Sequence, residues 1–157
     1  MPRQRLDRRI NVQVLIWALA VIIIDTLSKW WARHAVHGKG EHVWGPLWFR
    51  LTYNGGISFS VNRSGPIVTT LIVLAIVLVV TFVAFQATPG LATVGFGLLL
   101  GGGVSNEIDR LVRVPHQVTD FISVGSFPIF NLADASVTVA FVVLMVALVR
   151  GSTLVQR

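Results

Sequence analysis

The residues of this chain best equipped for chemistry are its carboxylates. Of five aspartates in 157 residues, Asp120 and Asp134 flank an apolar, turn-rich stretch, V-T-D-F-I-S-V-G-S-F-P-I-F-N-L-A-D, that runs into the apolar segment Ala135–Val149. A charge carried toward hydrocarbon costs roughly 2.5–3.5 kcal/mol even on a lenient insertion scale. Two carboxylates brought together perturb each other, so that one holds a proton near neutral pH while the other is ionised. Such a pair can activate water as general base and protonate a leaving group as general acid. Asp25 and Asp109 invite a blander account. Lys29 follows Asp25 by one helical turn and Arg110 adjoins Asp109, so both acids have a cation at hand for an ion pair. Asp120 and Asp134 have none nearby in sequence. Asn131 is placed to cap a helix and leave Asp134 one turn inside, facing the bundle.

Other chemistries lack their residues. There is no cysteine, hence no disulfide, thiolate metal site or cysteine nucleophile. His34, His37, His42 and His116 lack metal-ligand spacing and read as loop residues, so no metal or cofactor is expected. No G-x-S-x-G, phosphate-binding loop or dinucleotide fingerprint occurs. Glu107 reads as a residue at headgroup level.

The elements that must position the aspartates are membrane spans. The chain is 54% hydrophobic and 13% charged, where a soluble domain carries about a quarter charged residues. The net charge of +6 includes Arg3, Arg5, Arg8 and Arg9 ahead of the first apolar segment. A basic tip leading into a hydrophobic helix binds anionic phospholipid headgroups and sets orientation, and nucleic acid is not the expected partner. No A-x-A-like site follows that segment, which reads as a retained anchor. Apolar runs predict four spans, 12–33, 67–85, 91–108 and 131–149, in one membrane-embedded domain over 1–157, with loops at 37–66 and 111–130. Within Val43–Val61, β-branched and aromatic residues alternate around Asn54-Gly55-Gly56, which predicts a hairpin in a small extramembrane sheet. The expected fold is therefore an all-α polytopic membrane protein with a β-rich element between helices 1 and 2. Gly97 and Gly101 form a G-x-x-x-G pair for close helix approach, and the run Gly101–Gly103 is expected to loosen the third helix.

Four spans put Asp25 late in the first, Asn106–Arg110 late in the third and Asp134 early in the fourth. All of them then lie at one membrane face, with Asn54 and Asp120 in the loops of that face. Basic residues are divided almost evenly between the two sides. Discounting Lys29 and Arg110 as partners of neighbouring acids, and weighting the arginine cluster, places both termini in the cytoplasm and the polar face outside it.

Read in order, Asp25-x-x-x-Lys29, Tyr53-Asn54-x-Gly-x-x-Phe59-Ser60, Gly101-Gly102-x-x-x-Asn106-x-x-Asp109-Arg110, Val118-x-Asp120-Phe121 and Phe130-Asn131-x-Ala133-Asp134 resemble the motif blocks of the bacterial lipoprotein signal peptidases, signal peptidase II. The resemblance spans nearly the whole chain. It departs at Gly56-Ile57, where small residues are common, and around Ser105-Asn106-Glu107. It implies an aspartic endopeptidase of the bacterial inner membrane. That enzyme removes the signal peptide from diacylglyceryl-modified prolipoproteins, cutting just before the lipidated cysteine. Its catalytic aspartates correspond to Asp120 and Asp134. Asp25, Lys29, Asn54, Asn106, Arg110 and Asn131 correspond to its supporting polar residues, and Asp109 belongs to the same cluster. The protein is expected to act as a monomer. The alternative is a small ion- or proton-coupled transporter, which requires polar residues through both halves of the bilayer. Arg63 to Glu107 encloses no charge at all.

Overall fold

The computed structural model describes residues 10–55, 66–113 and 115–156. Four helices, α1 (Gln13–Ala35), α2 (Pro66–Ala84), α3 (Leu91–Val112) and α4 (Leu132–Val149), are each long and apolar enough to cross a membrane. Three strands, β1 (Glu41–Trp44), β2 (Leu47–Asn54) and β3 (Val118–Val124), form one antiparallel sheet in the order β1-β2-β3. The fold is thus mostly helical with a small sheet. The sheet, however, recruits a strand from the α3–α4 connection as well as from the α1–α2 connection.

Helix α3 is the axis of the bundle, packed against α1, α2 and α4, while α2 leans chiefly on α3. Glycine makes this centrality possible. A Cβ on Gly101 would lie 2.8 Å from the Ala18 carbonyl oxygen and 2.9 Å from Ala18 Cα; on Gly102 it would lie 2.6 Å from the Ala133 carbonyl oxygen. Consecutive glycines therefore seat α1 and α4 on two sides of one helix, and the G-x-x-x-G pair Gly97 and Gly101 faces α1. The glycine run does not loosen α3, which stays helical through Val112. Packing on both flanks offsets the backbone entropy that glycine loses on ordering. Below, Val14, Ala18, Phe96, Leu100 and Leu144 form a core; above, Ala32, Val36 and Phe121 join α1 to the sheet.

Among the described residues a hairpin turns at Gly45-Pro46, between β1 and β2, and the Asn54 end of β2 pairs with Val118 of β3. Gly45 takes a positive φ of 53°, which suits glycine and serves the tight turn as well as Asn-Gly would. Gly56–Val61, the second arm of the expected hairpin, lies outside the described residues. Strand β3 is buried over most of its length, so it lacks the polar–apolar alternation by which a strand is recognised. The segment after it is held in place: Phe121 and Ile122 donate backbone hydrogen bonds to the Phe130 carbonyl, and Phe130 donates back to Ile122. That return brings the start of α4 under β3.

Candidate active site

Asn131 carries the local logic of the site. It is the N-cap of α4: its Oδ1 accepts from Asp134 N at 2.9 Å, and Asp134 Oδ2 accepts from Asn131 N at 3.3 Å. This reciprocal box satisfies two backbone donors that a helix start leaves open. It also fixes Asp134 at the third position of the helix. The remaining donor of Asn131, Nδ2, reaches Asp120 Oδ1 at 2.7 Å. One fully buried residue thus grips both carboxylates, that of Asp120 on β3 by its side chain and that of Asp134 on α4 by its backbone N–H.

Both carboxylates line a single cavity of about 550 Å³. Asn54, Asn106 and Arg110 share its polar end, and Gly102, Gly103, Val118, Phe127, Ile129 and Phe130 lie along its wall. Val73 of α2 and Val137 and Val139 of α4 complete an apolar arm between those two helices. Val139 is itself half-exposed on the outer surface of α4, so the arm reaches the face of the bundle.

The bonds described for the pair come from carboxamides and backbone rather than from a cation. Asp134 Oδ1 accepts from Asn106 Nδ2 at 2.8 Å, and Asp120 has hydrogen bonds with Asn131 and Asn54. The Asp120 carboxyl is pushed up from 3.8 to about 7, by burial first and then by the charge of Asp134; the two asparagines and the more distant Lys29 pull the other way. At neutral pH a proton is therefore shared out near Asp120, the condition that general acid–base work requires.

Asp25 and Asp109 are buried away from the cavity. Asp25 is fully buried and does not reach the cavity. Its Oδ2 meets Lys29 Nζ at 2.6 Å and Ser105 Oγ at 2.7 Å, and its Oδ1 accepts from Ala133 N at 2.9 Å. It ties α1 to α3 and to the first turn of α4. Lys29 continues to Asn106 Oδ1 at 2.8 Å and Asp109 Oδ2 at 3.6 Å. Asp109 accepts from Thr119 N at 2.9 Å, anchoring β3, and pairs with Arg113 Nε at 3.3 Å. Adjacency suggested Arg110 as the partner of Asp109. Successive helical residues point about 100° apart, so Asp109 and Arg113, one turn apart, share a face instead. Arg110 pairs at 3.7 Å with Glu107, whose side chain is buried within the protein.

Sequence reasoning passed over Ser105 and Thr119, both buried polar members of this shell. Ser105 follows Gly101 by four residues, on the face of the G-x-x-x-G pair, and that was the available signal. Thr119 had none, because the strand it belongs to was unseen. His34, His42 and His116 bond three separate backbone carbonyls, of Trp30, Gly45 and Arg110.

A family model described as Signal peptidase (SPase) II matches residues 17–150. A "Lipoprotein signal peptidase" of Chlorobium phaeobacteroides (strain BS1) is 36% identical over 148 residues, covering 82% of this chain and 91% of that protein. One of Mycobacterium leprae (strain Br4923) is 31% identical over 150 residues, covering 92% and 74%. A solved structure titled "Bacterial membrane enzyme structure by the in meso method at 2.3 A resolution" superposes with a TM-score of 0.78 at 26% identity, covering 89% of each chain. The family and these relatives are peptidases, which disfavours the transport alternative.

Proposed function

The chain belongs to the signal peptidase II family of membrane peptidases and processes lipoprotein signal peptides, and from that premise we propose that it is an aspartic endopeptidase whose catalytic pair is Asp120 and Asp134. The observation that carries this is the shared grip of Asn131, by its side chain on Asp120 and by its backbone N–H on Asp134, on two carboxylates lining one cavity. Asp134 takes a proton from water as the water attacks the scissile carbonyl. Asp120, protonated near neutral pH, donates to that carbonyl oxygen; as the C–N bond breaks, Asp134 passes its proton to the leaving amine and Asp120 takes one back from the gem-diol hydroxyl. Each proton taken by one carboxyl is matched by one given by the other, and no covalent intermediate forms. Asn54 and Arg110 face the same space and orient the peptide, with donors aimed where negative charge develops.

The substrate is a prolipoprotein whose cysteine carries diacylglycerol, cut on the amino side of that cysteine. The apolar arm between α2 and α4 suits an acyl chain entering from the bilayer, while the peptide lies under β3. The N-terminal arginine cluster supports cytoplasmic termini, with the site at the extracytoplasmic face of the bacterial inner membrane.

The test is incubation of the purified protein with a diacylated prolipoprotein and, separately, with its unlipidated form. The expected product is the mature lipoprotein, lighter by its signal peptide, from the lipidated form alone. Equal cleavage of both would remove the role given to the apolar arm. A chelator should leave turnover intact, and loss that zinc restores would overturn the metal-free mechanism.

A further inference from the structure

Lys29 sits one residue behind the pair without touching the cavity. It is 1% exposed, and its ammonium can only donate. Its neighbours are Asp25 Oδ2 at 2.6 Å, Asn106 Oδ1 at 2.8 Å and Asp109 Oδ2 at 3.6 Å. The bond to Asn106 has a direction. Oδ1 of that carboxamide also accepts from Asn131 Nδ2 at 3.1 Å, so both groups facing it are donors. Its Nδ2 must therefore point the other way, and there it meets Asp134 Oδ1 at 2.8 Å. A flipped carboxamide would set N–H against an ammonium and oxygen against a carboxylate. The result is a one-way chain from buried Lys29 through half-buried Asn106 to Asp134. Asp120 has its own carboxamides, Asn131 and Asn54.

We propose that Lys29 is a positioning residue for peptide hydrolysis: it locks the Asn106 carboxamide as a donor to Asp134 and so keeps Asp134 the charged, water-activating member of the pair, leaving the proton on Asp120. A donor aimed at a carboxylate favours its charged form, and an acceptor in the same place favours the protonated one. The charges facing the pair are Asp25 and Lys29 from α1, Asp109 and Arg110 from α3, Asp120 from β3 and Asp134 from α4. Asp25, pressed against Lys29, offsets much of the ammonium's field at Asp134. What Lys29 contributes is chiefly the orientation of Asn106.

This inference rests on Asp120 and Asp134 being the catalytic pair, and the experiment separates the two. The double replacement Asp25→Asn with Lys29→Met removes one charge of each sign and keeps an acceptor for Ala133 N. Cleavage of a diacylated prolipoprotein by the full chain is followed from acidic to alkaline pH. The acid-side fall in kcat should move up by about one pH unit, the effect of releasing one strong donor from a carboxylate, with KM little changed. A folded double variant whose acid-side fall stays where the wild type has it overturns the proposal, whatever its kcat. If that variant does not fold, Asn106→Leu, which leaves the Asp25–Lys29 pair intact, must show the same upward move, and an unmoved profile overturns the proposal there too. Asp134→Asn in the same assay guards the premise. If it turns over normally, the catalytic pair is wrong; if it is dead while the profile of the double variant is unmoved, only the role of Lys29 fails.

Discussion

Asp25 and Asp109 are held by an ammonium or a guanidinium, whereas Asp120 and Asp134, in the same end of the bundle, are held by carboxamides. The first arrangement neutralises. A buried acid with a cation against it has its oxygens already engaged, and its worth is to tie α1, α3, β3 and α4 together. The second arrangement positions without neutralising. An asparagine orients a carboxyl as firmly as a cation does but leaves its proton free to come and go. The opening of the cavity follows the same division, since only the amide-held acids line it. The sealed cluster is thus a frame, and the open pair is what the frame holds.

The frame half of that contrast should break most severely. Lys29→Met leaves Asp25 buried beside no cation, and breaking a buried ion pair from one side costs roughly 3–5 kcal/mol; thermal unfolding in detergent should show a large loss. If Lys29→Met unfolds like wild type, the cluster is not a frame.

The open half should respond in the opposite sense. Burial holds the Asp120 carboxyl near 7, above its ordinary 3.8, so the folded state keeps a proton that the unfolded chain gives up. Stability from this group is complete below about 3.8 and is lost as pH rises to about 7. Asp120→Asn does not titrate. It should gain stability over wild type across that window, toward an upper limit on the order of 4 kcal/mol at alkaline pH. A stability difference independent of pH would show that Asp120 is not the strained member.

Smaller effects probe the joints between the halves. Gly101→Ala drives a methyl into Ala18 of α1 and should cost about 1–3 kcal/mol as overpacking, loosening the frame with little change in the pH profile. Asn131→Ala removes the α4 cap and should cost about 0.5–2 kcal/mol. Because the same side chain grips Asp120, it should also slow cleavage by a factor on the order of 10² to 10³. A slowdown no larger than that of Gly101→Ala would demote Asn131 to a cap alone.

Much of this was legible in the sequence where a single physical signal dominated. The helices announced themselves by long charge-free runs, and the convergence of Asn54, Asn106, Asp120 and Asp134 followed from counting spans. Asn131 was legible as a cap because a polar residue three before an acid at the head of an apolar run has few other uses. Strand β3 was not legible, because burial on both faces erases its alternation, and with it went Thr119. Partner choice was misread at Asp109 because nearness in sequence is not nearness on a helix face. The hairpin at Gly45-Pro46 was passed over because Asn-Gly is the stronger turn signal, and the pairing of β2 with β3 was unseen because its partner is contributed from the far side of α3.

The most direct measurement is the turnover of Asp120→Asn and Asp134→Asn on a diacylated prolipoprotein, each checked for folding, beside wild type. Both replacements keep the size and hydrogen-bond acceptor of the side chain while removing its ability to exchange a proton. Each should lose a factor on the order of 10² to 10⁴ or more in kcat with the fold retained. Near-wild-type turnover in either folded variant would contradict the account.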